Sequence, residues 1–133
     1  MIGLDTNVLV RYVVQDDQEQ SARATELIES LSEESPGFIS VVALVESVWV
    51  LQRAYRVDRA GVSKLLRGLL DSRELQIEQA EVVRRTIPVW LDSTADFSDA
   101  LIAQFGLQVG CDYTATFDQR ASALTGMRIV SAP

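Results

Sequence analysis

The sequence predicts an α/β fold, a mainly parallel sheet sandwiched between helical layers, and three observations carry that expectation. Short apolar runs of strand length alternate with longer stretches of helical period along the chain. There is no internal repeat, low-complexity tract or linker, and the three prolines and seven glycines are scattered at apparent element boundaries. A chain of 133 residues that is 47% hydrophobic can bury a core without disulfides or structural zinc, so a single domain over residues 1–133 is expected.

The elements follow in order. Met1 to Leu4 reads as a buried strand, followed by a short helix from Asn7 to Val14. A second helix from Gln18 to Leu31 carries Ala22, Ala24, Leu27, Ile28 and Leu31 as its apolar stripe. Pro36-Gly37 breaks the chain. Phe38-Ile39 is a short strand, Ser40 caps a helix from Val41 to Tyr55, and Asp58 opens another that runs to Leu70. A strand at Leu75 to Ile77 precedes helices at Ala80 to Leu91 and Phe97 to Gln108. A strand at Tyr113 to Phe117, a short helix from Gln119 to Leu124 and a strand at Met127 to Val130 complete the chain.

Missing residue types narrow the chemistry. With no histidine, every Ser-His-Asp, Cys-His and His-ligated zinc mechanism is excluded. Cys111 is the single cysteine, so there is neither an intrachain disulfide nor a multi-cysteine metal site, the usage of a reducing cytoplasm. The sole lysine, Lys64, reads as the ordinary surface of an amphipathic helix. No basic signal-peptide region precedes Ile2-Gly3-Leu4-Asp5, and the most apolar stretch, Val41 to Leu51, is too short to span a bilayer and carries Glu46. A soluble, cytoplasmic protein without membrane partners is expected. The net charge of −7 argues against gripping nucleic acid mainly through a basic surface, although divalent cations bound to clustered carboxylates would reverse the local field.

Carboxylates must therefore carry any chemistry. Ligands of open parallel sheets bind beyond the carboxyl ends of the strands. Asp5 directly follows the first strand, Asp118 follows the Tyr113–Phe117 strand, and Asp99 sits in the first turn of the helix opened by Asp96-Phe97-Ser98. Taken singly, Asp5, Asp96 and Asp118 are each accounted for as helix caps, with Asp99 as a capping-box-like third residue. Glu46 differs: with Val42, Trp49 and Val50 as helical neighbours, it sits in or beside the core, or at the edge of the stripe where it reaches water. Jointly, the four acids suit hard cations such as Mg²⁺ or Mn²⁺, which take oxygen ligands and activate water for attack on phosphorus without histidine. Bunched carboxylates should raise at least one pKa, and metal binding should stabilise the fold.

The run Asp5-Thr6-Asn7-Val8-Leu9-Val10-Arg11, Glu46 in its apolar helix, Asp96-Phe97-Ser98-Asp99-Ala100-Leu101-Ile102-Ala103, and Gly110-Cys111-Asp112-Tyr113-Thr114-Ala115-Thr116-Phe117-Asp118 together resemble PIN-domain proteins, in detail the VapC-type toxins. The resemblance spans the chain in order. It implies a three-layer α/β/α sandwich, Mg²⁺- or Mn²⁺-dependent RNA hydrolysis, a homodimer, and inhibition by a cognate antitoxin. It also implies Asp5 and Asp99 as principal metal ligands, Glu46 as ligand or water-orienting base, and Asp118 as ligand to a second or weaker metal. Asp96 falls on an often acidic position, with a capping or supporting role; Thr6, Asn7 and Thr116 would position the acids, and Arg11 would reach the antitoxin or a neighbouring carboxylate.

Two rivals remain at this level. A phosphohydrolase with an aspartyl nucleophile at Asp5 would want a second acid where Asn7 stands. A non-catalytic Mg²⁺-binding interaction module accounts for the acidic charge but leaves a carboxylate beside Trp49 without purpose.

Overall fold

The computed structural model describes residues 1–131. Five strands and seven helices alternate among these residues: β1 (Ile2–Gly3), α1 (Thr6–Val14), α2 (Gln18–Glu29), β2 (Gly37–Ile39), α3 (Val41–Arg53), α4 (Arg59–Asp71), β3 (Leu75–Ile77), α5 (Ala80–Leu91), α6 (Phe97–Gln108), β4 (Thr114–Thr116), α7 (Gln119–Ser122) and β5 (Met127–Ile129). Every strand pair among them is parallel. The chain is thus α/β, with parallel-strand sheets and helical crossovers, as expected. Residues 1–80 and 81–133 form two compact units, each with its own hydrogen-bonded ladder. The expected single domain of 1–133 extends two residues beyond the described ones. Among the described residues no helix is long and apolar enough to cross a membrane.

In the first unit the ladder runs β1-β2-β3, with Ile2 opposite Gly37 and Ile39 opposite Ile77. Parallel strands cannot be joined by a tight turn, so helices carry the chain back between them. α1 buries Leu9 and Val10, α3 buries Ala43, Leu44, Val48 and Leu51, and α4 buries Val62 and Leu66. Their starts are set locally. The Asp17, Ser40 and Asp58 side chains accept from the backbone N–H groups of Gln20, Ala43 and Gly61 at 2.9, 3.1 and 2.7 Å, so N-terminal amides of α2, α3 and α4 are satisfied without long-range partners. α1 stops where Gln15 turns into the left-handed region (φ 58°) and returns its N–H to the Arg11 carbonyl.

The second unit is built around α5 and α6. Trp90, Phe97, Ala100 and Ala103 are all buried, and the Trp90 and Phe97 rings meet edge to face with centroids 5.3 Å apart. That contact fixes the last turn of α5 against the first turn of α6, the turn that bears Asp99. α6 closes with two paired hydrogen bonds, Cys111 N–H to the Gly106 carbonyl and Gly110 N–H to that of Leu107, while Gly110 adopts φ 92°. This helix stop needs a residue free of a Cβ at that position and redirects the chain into β4. β4 then passes so close to α6 that a Cβ on Gly106 would collide with the Thr114 hydroxyl.

Four expectations need correction. The first strand is not buried: Ile2 is 46% exposed, and only Leu4 behind it is covered. β1 is two residues long and stands at the end of its ladder, hydrogen-bonded to β2. In α2 the buried positions are Ser21 and Ala24, with Leu31 beyond the helix, while Ala22 is exposed; an alanine is small enough to lie on either side of a stripe edge. Pro88 lies inside α5 and not at a boundary, at an exposed position, where a missing backbone donor faces water instead of the core. Three predicted helices also end early, α2 at Glu29, α3 at Arg53 and α7 at Ser122.

Trp90→Ala is expected to destabilise the protein by about 3–5 kcal/mol, through lost burial and an unfilled cavity. Denaturant unfolding of the two proteins at neutral pH checks this; a difference below about 1 kcal/mol would mean that the Trp90–Phe97 contact does not anchor α6.

Candidate functional site

Asp5 occupies the N-cap of α1 in extended geometry (φ −79°, ψ 160°), yet its side chain makes no cap hydrogen bond. The carboxylate is exposed and enters no salt bridge among the described residues. Thr6, the next residue, is buried, and its hydroxyl donates to Glu46 Oε2 at 3.1 Å. Residues 40 positions apart are thereby linked: the strand end that presents Asp5 also supplies the hydroxyl that orients Glu46. One Glu46 oxygen is engaged by Thr6, and Oε1 is left for another partner.

Glu46 does not sit in the core. Val42 and Trp49 on the same face of α3 are 67% and 60% exposed, and Glu46 is exposed between them. The helix packs through Ala43, Leu44, Val48 and Leu51 on a different face, so of the two placements open in the sequence the edge of the stripe is the observed one. The Trp49 ring is instead covered by Arg53, whose guanidinium carbon lies 5.7 Å from its centroid.

In residues 81–133, Asp96 is the N-cap of α6, again without a side-chain cap bond. The capping role expected for it is not observed; with the carboxylate exposed, water solvates it in place of the helix amides. Asp99 follows one turn later and is half-buried. Its carboxyl is held above the ordinary range, first by burial, then by the charges of Asp96 and Asp118. The expectation that clustered acids raise at least one pKa is met here. Asp118 does cap its helix: Oδ1 accepts from the N–H groups of Arg120 and Ala121 at 2.8 and 3.0 Å, while its own N–H donates to the Thr116 hydroxyl at 3.0 Å. Both cap bonds use the same oxygen, so Oδ2 remains unspent. Thr116 thus meets Asp118 through the backbone of the latter.

Asn7 is exposed and lines a cleft of α1 and α2 with Val8, Arg11 and Gln20. Arg11 reaches a neighbouring carboxylate, the second of its expected alternatives: it donates to Asp16 Oδ1 at 3.2 Å and to the Tyr55 hydroxyl at 3.0 Å, and Tyr55 donates to Asp16 Oδ2 at 2.6 Å. Through this cluster Tyr55, just past the end of α3, is held to α1, so the two helices associated with Glu46 and Asp5 are tied together. Sequence reasoning missed both Tyr55 and Asp16, because Tyr55 lies 44 residues from Arg11 and no local pattern marks the pairing.

Among the described residues no three Asp, Glu or Cys side chains are drawn together as a ready-made metal cluster, the arrangement that mutual repulsion favours among like charges. Within each unit the donors are of the kind a hard divalent cation takes: Asp5 and Glu46 in the first, Asp96, Asp99 and Asp118 in the second, with no salt bridge to Asp5, Asp96 or Asp99 among the described residues and one unspent oxygen each on Glu46 and Asp118.

The raised pKa of Asp99 makes a pH prediction. The folded state holds this proton more tightly than the unfolded chain, so the ionised carboxylate is a liability at neutral pH. That liability disappears once pH falls below the ordinary carboxylate range. Asp99→Asn should therefore stabilise the metal-free protein at pH 7, by less than about 1 kcal/mol because water screens a half-buried group, and the difference should vanish in acid. Thermal melts of both proteins from neutral pH down into the carboxylate range test it, and a variant less stable than its parent at pH 7 would contradict it.

No curated relative matches the chain. The PIN domain family matches over residues 2–126, which includes Asp5, Glu46, Asp96, Asp99 and Asp118 and runs through both compact units. PIN domains are typically metal-dependent nucleases, generally using divalent cations such as Mg²⁺. On a match covering nearly its whole length, this chain belongs to the PIN domain family.

Proposed function

We propose that this chain is a metal-dependent endoribonuclease, the toxin of a type II toxin–antitoxin pair of the VapC kind, with residues 1–133 acting as one nuclease domain. The observation that carries the reading is that Asp5, placed where an aspartate would ordinarily cap a helix, leaves its carboxylate unused, in a chain matched to a nuclease family along its length.

In this reading Asp5, Glu46, Asp99 and Asp118 hold Mg²⁺ or Mn²⁺. The cation supplies charge neutralisation at the phosphate and activation of the attacking water. The protein's own groups do the rest. Asp5 and Asp99 offer carboxylates free of cap bonds. Glu46, oriented by the Thr6 hydroxyl, directs the water and accepts its proton. Asp118 contributes Oδ2 while Oδ1 stays fixed to the α7 amides. Thr6 and Thr116 set these acids without approaching the phosphate, and Asp96 raises the local negative charge that draws the cation. With no histidine in the chain, proton transfer falls to carboxylates.

The proposed partners are RNA, a second copy of the chain and a cognate antitoxin, with action in the cytoplasm. Support for the toxin assignment is the run of motifs from Asp5-Thr6-Asn7 to Thr116-Phe117-Asp118. Purified, antitoxin-free protein should cut total cellular RNA into discrete fragments with Mg²⁺ or Mn²⁺, and not with EDTA. Asp5→Ala should abolish the cleavage while leaving the melting temperature within a few degrees of the parent. Cleavage by a folded Asp5→Ala protein at the parental rate would refute the mechanism. Metal binding without cleavage of any RNA would favour the non-catalytic Mg²⁺-binding module.

A further inference from the structure

The β4–β5 ladder has one covered face and one open face. Thr114 and Thr116 from β4, with Met127 and Ile129 opposite them in register, point inward, Thr114 against Gly106 of α6. Alternation puts Tyr113, Ala115 and Phe117 on the other side, with Arg128 opposite Ala115 and Val130 beyond it, and all five are exposed. Phe117 is 83% exposed, more than any other large hydrophobic side chain among the described residues. The Arg128 guanidinium carbon lies 4.1 Å from the Tyr113 ring centroid, so a positive charge sits over this aromatic ring.

We propose that this face is a stacking platform for the bases of single-stranded RNA, delivering the strand to Asp118. The inference rests on the hydrolase reading above and names how its substrate is gripped. Three features select RNA over other occupants. The face holds aromatic residues four positions apart, about 13 Å along the strand direction, a span that an extended stretch of unstacked nucleotides can bridge. Among the described residues it carries a cation and no carboxylate, in a chain of net charge −7, so it is locally complementary to phosphate. Phe117 is also joined directly to Asp118, so a base on its ring lies next to a carboxylate proposed to serve the reacting phosphate. Stacking on an exposed ring is tolerant of sequence and worth about 1–3 kcal/mol per base, roughly five- to 150-fold in affinity.

The test uses the full chain. Binding is read in the Asp5→Ala background, to prevent cutting, by fluorescence polarisation of a labelled single-stranded RNA and of the same oligonucleotide made abasic. Steady-state cleavage with Mg²⁺ is read in the otherwise unaltered chain. Phe117→Ala should weaken binding of the intact RNA about tenfold or more, and raise KM in parallel with kcat changed less than about twofold. It should leave the abasic RNA unaffected, while Phe117→Trp should restore parental affinity. Arg128→Gln should weaken both RNAs. Equal affinities for Phe117→Ala and its parent, or an equal loss on the abasic strand, would overturn the platform. So would a loss of self-association without loss of RNA binding, which would give the face to a second copy. If the unaltered chain cuts no RNA but the Phe117 effect on binding persists, the hydrolase reading fails and the platform stands. Cleavage without a Phe117 effect on binding would leave the hydrolase standing and remove the platform.

Discussion

Parallel strand pairing is the constraint on which the rest depends. A strand aligned with its neighbour cannot be reached by a tight turn, so each carboxyl end hands the chain to a helix that carries it back. Those hand-over points are where Asp5, Ser40 and Asp118 stand. Each occupies a position that favours a short acceptor side chain, because the first amides of the next helix lack partners. Two of the three serve that purpose. Ser40 and Asp118 spend an oxygen on their helices; Asp5 spends nothing, and α1 begins without a side-chain cap. A cap forgone costs about 1 kcal/mol, and such a cost is retained where the group is wanted for something else.

Most of this scaffold was legible in the sequence because its signals are local. The Ser40 and Asp58 caps, the strand at Leu75–Ile77 and both long helices of residues 80–108 follow from periodicity and capping chemistry that a short window contains. What was hidden depends on partners distant in sequence. The exposure of β1 follows from its place at the end of a ladder, which no property of Ile2-Gly3 announces. Glu46 shows the limit more sharply: apolar neighbours on a helix suggest burial, yet Val42 and Trp49 are themselves exposed. Hydrophobicity marks a residue that would gain from cover and says nothing about which side the cover comes from.

The candidate site divided in the same way. The identities of the acids were readable, but not the state of each carboxylate. Four aspartates at or near helix starts look alike in sequence, and the structure separates them: Asp5 and Asp96 make no cap bond, Asp118 caps with one oxygen, and Asp99 is crowded by its acidic neighbours. The Thr6 hydroxyl meets Glu46 across 40 residues, which no local window shows. The Arg11–Tyr55–Asp16 cluster, which ties α1 to the end of α3, is absent from any local pattern because its members meet only in the fold.

An acidic protein proposed to take RNA as substrate faces an electrostatic difficulty. Affinity for nucleic acid ordinarily comes from lysine and arginine displacing counterions, and here acids outnumber bases 19 to 12. Divalent cations on the carboxylates relieve the repulsion where a phosphate reacts, but their field falls off within about 10 Å in physiological salt. The strand beyond needs another source of adhesion, one independent of net charge. Stacking supplies that, since every base has a face and an aromatic ring needs no countercharge. On the proposed reading an unburied phenylalanine beside Asp118 and an arginine over Tyr113 complement the carboxylates: the acids would act through metal on one phosphate, and the rings would hold the neighbouring bases. Such a division also makes binding less salt-dependent than for a basic nuclease, because fewer counterions leave when the RNA arrives.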